Sequence, residues 1–112
     1  MFSDCESLTE LNLSGWDTSH IISMGYMFQY CKSLTNLNLS SFTCQSLTTA
    51  YQMCGNCISL KILDISSLEL NNEIDASYFI KGCYSLNTVI ISRNMTNKAL
   101  LNDILELSVK YK

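Results

Sequence analysis

Cysteine recurs at positions 5, 31, 57 and 83, each time after an interval of 26 residues. Set out at that period, the chain reads MFSDCESLTELNLS from Met1, MFQYCKSLTNLNLS from Met27, MCGNCISLKILDIS from Met53 and FIKGCYSLNTVIIS from Phe79. The first two segments agree at 10 of 14 positions, and the fourth still keeps its Cys, Ser, Leu and final Ser. A repeat of roughly 20–50 residues marks an array whose units bury their apolar faces only against one another. That rule constrains this chain more than any other feature does.

Each unit carries C-x-S-L-x-x-L-x-L-S. The apolar positions are Leu8, Leu11 and Leu13, then Leu34, Leu37 and Leu39, then Leu60, Leu63 and Ile65, then Leu86, Val89 and Ile91. The last two of each set alternate with a polar or variable residue, the pattern of a short strand with one buried face. Four such strands stacked in register predict a parallel sheet with a continuous inward ladder. A further apolar position follows at Trp16, Phe42 and Leu68, with Asn94 in the last copy. Ile21, Ile22 and Met24, then Tyr26, Met27 and Phe28, are expected to form the back wall, with a helical turn at each Met-Phe pair.

These residues resemble the BspA-like leucine-rich repeat. The pattern C-x-x-L-x-x-L-x-L, an aromatic, Asp17-Thr18-Ser19 and M-F-x-x-C is most similar to the variant of mycoplasma-type surface lipoproteins and of surface proteins of some parasitic protists. The likeness runs from residue 1 to about 92, and the return segments depart from it at Thr43-Cys44-Gln45 and at Glu69 to Asp75. It implies a leucine-rich repeat solenoid of four right-handed coils, with a parallel β-sheet on the concave face. The units are 1–26, 27–52, 53–78 and 79–96. It also implies a cell-surface or extracellular protein that binds host proteins or adheres, and no catalysis.

The MCGNC stretch, with Cys54 and Cys57, has the C-x-x-C spacing of a dithiol or half a zinc site. In this repeat type, however, the cysteine of C-x-S-L points inward, so Cys5, Cys31, Cys57 and Cys83 are expected to be a buried structural ladder. A disulfide between neighbouring coils is within reach, but side chains in register point the same way rather than toward each other. Cys54 stands where Phe2 and Phe28 stand in earlier copies, and Cys44 where Thr18 does, so both are expected to pack. Zinc would want four ligands, and the only histidine, His20, lies more than a coil away. No cofactor or metal is expected.

Composition narrows the function classes. The net charge is −3, charged residues are 15% of 112, and no basic stripe suited to nucleic acid is present. Apolar runs are far too short for a membrane span, and no cationic start precedes an apolar stretch as in a signal peptide. Phosphate loops and nucleophile elbows are missing. Glu69, Glu73 and Asp75 read as a solvated face.

The outward strand residues therefore become the candidate site. Glu10, Asn12, Asn36, Asn38, Ile62, Asp64, Thr88 and Ile90 are expected to line the concave face and to meet a protein or glycan. Polar Glu10 and Asn36 give way to Ile62, and Asn12 to Ile90, so the C-terminal part is either an apolar partner site or is covered by the tail. The serine closing each strand (Ser14, Ser40, Ser66, Ser92) is expected to bond to the backbone.

From Asn97 the repeat dissolves, and residues 97–112 read as an amphipathic capping helix. Leu100, Leu101, Ile104, Leu105 and Ser108 share one stripe, with Thr96 or Asn97 as N-cap. Met1 is itself the repeat methionine, so either further units precede it or the first coil stacks on a partner. Two readings follow: a recognition module, or a structural solenoid that self-assembles through its uncapped N-terminal coil. A third, thiol redox or metal chemistry at Cys54 and Cys57, has only the spacing behind it.

Overall fold

The computed structural model describes residues 2–110, with side chains up to residue 107. Three short strands, β1 (Asn36–Asn38), β2 (Ile62–Ile65) and β3 (Thr88–Ile91), form a parallel sheet in the order β1-β2-β3, and α1 (Lys98–Lys110) follows. Asn36 pairs with Ile62 and Ile62 with Thr88, so the sheet register equals the 26-residue sequence period.

Behind the sheet lies one apolar core. Leu34, Leu37, Leu39, Leu60, Leu63, Ile65 and Leu86 are wholly buried. Each contributes about 1.5–3 kcal/mol by leaving water, and no unit could supply this alone. Phe42 and Leu68 extend the core, whereas Trp16 at the equivalent position is 42% exposed, its ring tilted against Phe2 at 5.6 Å. The ladder also thins at its far end, where Val89 is half-buried and Ile91 exposed.

The expected fourth strand is absent: Leu11-Asn12-Leu13 of the first unit forms no ladder with β1. That unit has a neighbour on one side only among the described residues. Leu8 and Leu11 are only half-buried there, against wholly buried Leu34 and Leu37 in the next unit, so less apolar burial offsets the roughly 1–2 kcal/mol per residue that ordering the backbone costs. Ser14 also spends its N–H and hydroxyl on the Asn12 carboxamide.

The return half is built differently from the expected helical turns. The N–H groups of Met24, Tyr26, Phe28 and Tyr30 donate to the carbonyls of Thr49, Tyr51, Met53 and Gly55 in the next unit. Those of Ala50, Gln52, Cys54 and Asn56 donate in turn to Asp75, Ser77, Phe79 and Lys81. Donors used between units cannot serve an i→i−4 ladder, so the chain turns instead by three-residue steps such as Cys31 N–H to Phe28 carbonyl. Where such a turn ends at a repeat cysteine its third residue holds positive φ, at Asp4, Tyr30, Asn56 and Gly82, and Tyr26, Gln52 and Tyr78 form a second such column. Met24, Met27 and Phe28 point into the core as expected, but Ile22 and Tyr26 face out, at 61% and 46% exposure.

The helix closes one end. Asn97 is its N-cap: Oδ1 accepts from Leu100 N–H at 3.1 Å, while Nδ2 donates to the Asn71 and Ile74 carbonyls at 2.9 and 2.7 Å. Leu100 is fully buried, and Leu101, Ile104 and Leu107 pack on the core. Leu105, expected on that stripe, is 62% exposed, because the packed face runs through Leu107 instead. The side chain of Ser108 and residues 111–112 lie outside the described residues.

Candidate binding surface

The outward residues of the sheet divide into two columns with different fates. Asn12, Asn38 and Asp64 each turn a side-chain oxygen back on the chain to accept the N–H two residues on, from Ser14, Ser40 and Ser66. These are Asx turns that end the strand segment. The serines thus receive the capping bond through their own N–H, rather than making it through the hydroxyl as expected. In the last unit, where Ile90 replaces the Asx residue, Ser92 Oγ accepts from Asn94 N–H. The neighbouring serines Ser41 and Ser67 reach the Leu13 and Leu39 carbonyls of the unit before.

The other column is Glu10, Asn36, Ile62 and Thr88, all exposed, with the Thr88 hydroxyl donating to Asn87 Oδ1 at 2.8 Å. Ile62 is 37% exposed and Ile90 44%, and they sit diagonally, since Ile62 faces Thr88 and Asp64 faces Ile90. The position after each repeat cysteine follows the same trend: Glu6, Lys32, Ile58, Tyr84. Glu6 and Lys32 form a surface ion pair at 3.5 Å, whereas Ile58 and Tyr84 are exposed. On the sheet itself, polar Asn36 gives way to exposed branched aliphatic side chains at Ile62 and Ile90. Ile90 and Ile91 stay exposed beside the described part of α1. Toward the polar end, Glu10 to Ser14 and the outer side of β1 bound a cleft of about 410 Å³.

A family model described as "Mycoplasma protein of unknown function, DUF285" matches residues 1–111. The chain belongs to this family. No curated protein and no solved structure matches it.

The cysteines of this DUF285 chain all carry free thiols. Cys31, Cys57 and Cys83 are buried and Cys5 is half-buried. Their thiols step up the stack in one pattern: Cys31 Sγ donates to the Phe2 carbonyl, Cys57 to Phe28 and Cys83 to Cys54, at 3.1, 3.0 and 3.0 Å. Burial, with Cys57 nearby, pushes the Cys31 thiol up to about 11. The Cys83 thiol and burial push Cys57 further, and burial raises Cys54 well above the usual range. A thiol held protonated is a poor nucleophile and a poor metal ligand. Among the described residues no three His, Cys, Asp or Glu side chains converge as a metal site. His20 is exposed, and Cys44 Sγ rests 3.8 Å from Met24 Sδ.

One exposed feature escaped the repeat alignment. Tyr26, Tyr51 and Tyr78 run edge to face up the return wall at 5.5 and 5.8 Å, with Lys81 Nζ 4.8 Å from the Tyr78 ring centre. Tyr51 is one position out of register with the other two, so no single alignment column shows the row. The sequence signal was six tyrosines with none at a ladder position.

Proposed function

We propose that this chain is a BspA-like leucine-rich repeat solenoid of four coils closed by a C-terminal helix. It works as a non-catalytic binding module of a cell-surface or extracellular protein. The observation that carries this reading is the division of the sheet face. Its Asx column turns side-chain oxygens back into turns, while Ile62 and Ile90 stand exposed on adjacent strands. Such a patch, rimmed by polar residues, suits a protein partner. The family match and the 26-residue register support the repeat type.

Fluorescently labelled chain applied to cultured animal cells tests the reading. Wild type is expected to bind saturably, and Ile62→Asp with Ile90→Asp to abolish binding while leaving the thermal melt unchanged. Equal binding by the double variant would remove the sheet face as the site.

The reading of self-assembly through the N-terminal coil has one observation in its favour: among the described residues, Leu11-Asn12-Leu13 of that coil pairs with no strand. Light scattering across a concentration series decides it. Growth with concentration supports stacking, and a constant monomer mass refutes it.

A further inference from the structure

Along Met24–Tyr30, and again along Ala50–Asn56, the inter-unit bonds all point one way: the N–H of one unit donates to the carbonyl of the next. A wall made like this has donors on one edge and acceptors on the other. In the last unit the N–H groups of Tyr78, Ile80 and Gly82 stand where Gln52, Cys54 and Asn56 stand in the unit before, and no described residue accepts from them. Beside this row opens a cleft of about 410 Å³, with Asp103, Glu106 and Leu107 of α1 on its far side. It lies where the wall of a further unit would run.

We propose that this cleft binds an extended basic peptide, whose main-chain carbonyls take the three N–H groups and whose Lys or Arg side chains face Asp103 and Glu106. The cleft uses none of Asn36, Ile62 or Ile90, and it stands or falls independently of the sheet-face reading.

The occupant follows from the two sides of the cleft. A row of backbone N–H groups by itself would suit an anion. Two carboxylates opposite would repel one. Neutral carbonyls at alternate residues satisfy the donors, as in strand addition to a sheet edge, and cationic side chains satisfy the acids. Lys81 does not cancel them, because its ammonium lies over the Tyr78 ring. Ile80, Tyr84 and Leu107 supply apolar lining for the intervening side chains. The volume admits a short segment and excludes a folded domain.

Amide hydrogen exchange on the isotope-labelled full chain tests the proposal, with the capped peptide KLKLK, its acidic counterpart ELELE and inorganic phosphate as probes. In the free chain the Tyr78, Ile80 and Gly82 amides are expected to exchange roughly tenfold or more faster than those of Gln52, Cys54 and Asn56. KLKLK is expected to slow them, while ELELE and phosphate leave them unchanged. The double variant Asp103→Asn with Glu106→Gln is expected to weaken KLKLK binding about fivefold or more, with the melt retained as the control for folding. Slow exchange in the dilute free chain would overturn the proposal, since the chain would then satisfy its own donors. Protection that rises with protein concentration alone would overturn it in favour of a second copy. Equal protection by phosphate would overturn it in favour of an anion site, and no protection by KLKLK would end it.

Discussion

The thiol of Cys57 donates to the main-chain carbonyl of Phe28 at 3.0 Å, joining two repeat units where neither residue is exposed to water. The same step recurs from Cys31 to Phe2 and from Cys83 to Cys54, which explains why the period of the chain is written in cysteine. Valine or alanine would fill the space without reaching the carbonyl. Cys57→Ala should therefore cost about 1–2 kcal/mol in urea unfolding, from the lost bond and the small void together. Half-buried Cys5 makes no such bond among the described residues, and Cys5→Ala should cost under about 0.5 kcal/mol. Equal losses at the two positions would contradict a ladder held by thiol bonds.

Protonated, buried thiols should also be slow to react. With Cys31 raised to about 11 and Cys57 higher still, the native chain at pH 8 should leave these two unmodified by a thiol reagent on a timescale that labels all six in urea. Rapid labelling of Cys57 or Cys54 in the native state would revive the redox reading of MCGNC.

Asn97 ties the helix to the stack by three bonds from one side chain that is 3% exposed. Asn97→Ala removes the cap and strands the Asn71 and Ile74 carbonyls, so a loss of about 2–4 kcal/mol is expected. Asn97→Asp keeps the acceptor for Leu100 but replaces the two donated bonds with repulsion, and it should rescue little. Chemical denaturation of the three chains side by side reads the difference.

Backbone conformation gives a fourth test. Gly82 has φ of +80°, and a Cβ there would press on the Asn56 side chain. Gly82→Ala should destabilise by about 1–2 kcal/mol. The equivalent Tyr30 holds φ of 61° without being glycine. Tyr30→Gly should therefore cost little or even stabilise, within about 1 kcal/mol, because relief at φ offsets the lost ring contacts. If both substitutions destabilise equally, positive φ does not govern this column.

Asp103 supplies a pH signature. Burial, and secondarily Glu106, raises its carboxyl above the ordinary value, so the folded chain holds a proton more tightly than the unfolded chain. The charged form is thus a burden on the fold at neutral pH, relieved as pH falls through the raised folded value. Asp103→Asn should be slightly more stable than wild type at pH 7, the difference kept small by solvent screening of a partly buried side chain, with the gap closing toward pH 4. Thermal melts at the two pH values check this, and a gap that widens on acidification would reverse the sign. Asp17 runs the other way, its carboxylate held down by the Ser19 hydroxyl and N–H, so its contribution fades in acid.

The interval between cysteines 5, 31, 57 and 83 was enough to set which residues of the three strands meet, because parallel stacking at a constant period leaves one register that keeps every leucine inside. It also marked the change to a helix at Asn97, where the period stops and a 3.6-residue spacing begins. What the period could not show was the use made of each polar atom. Asn38 and Asp64 looked like free contact residues and are bound into turns, Leu105 looked buried and Leu107 took its place, and the first unit shares the leucines of the second yet forms no strand. Those outcomes depend on which hydrogen-bond partners and which neighbouring unit a residue meets in three dimensions. A repeat states that units touch, and only the tertiary structure decides which donors and acceptors remain unpaired when they do.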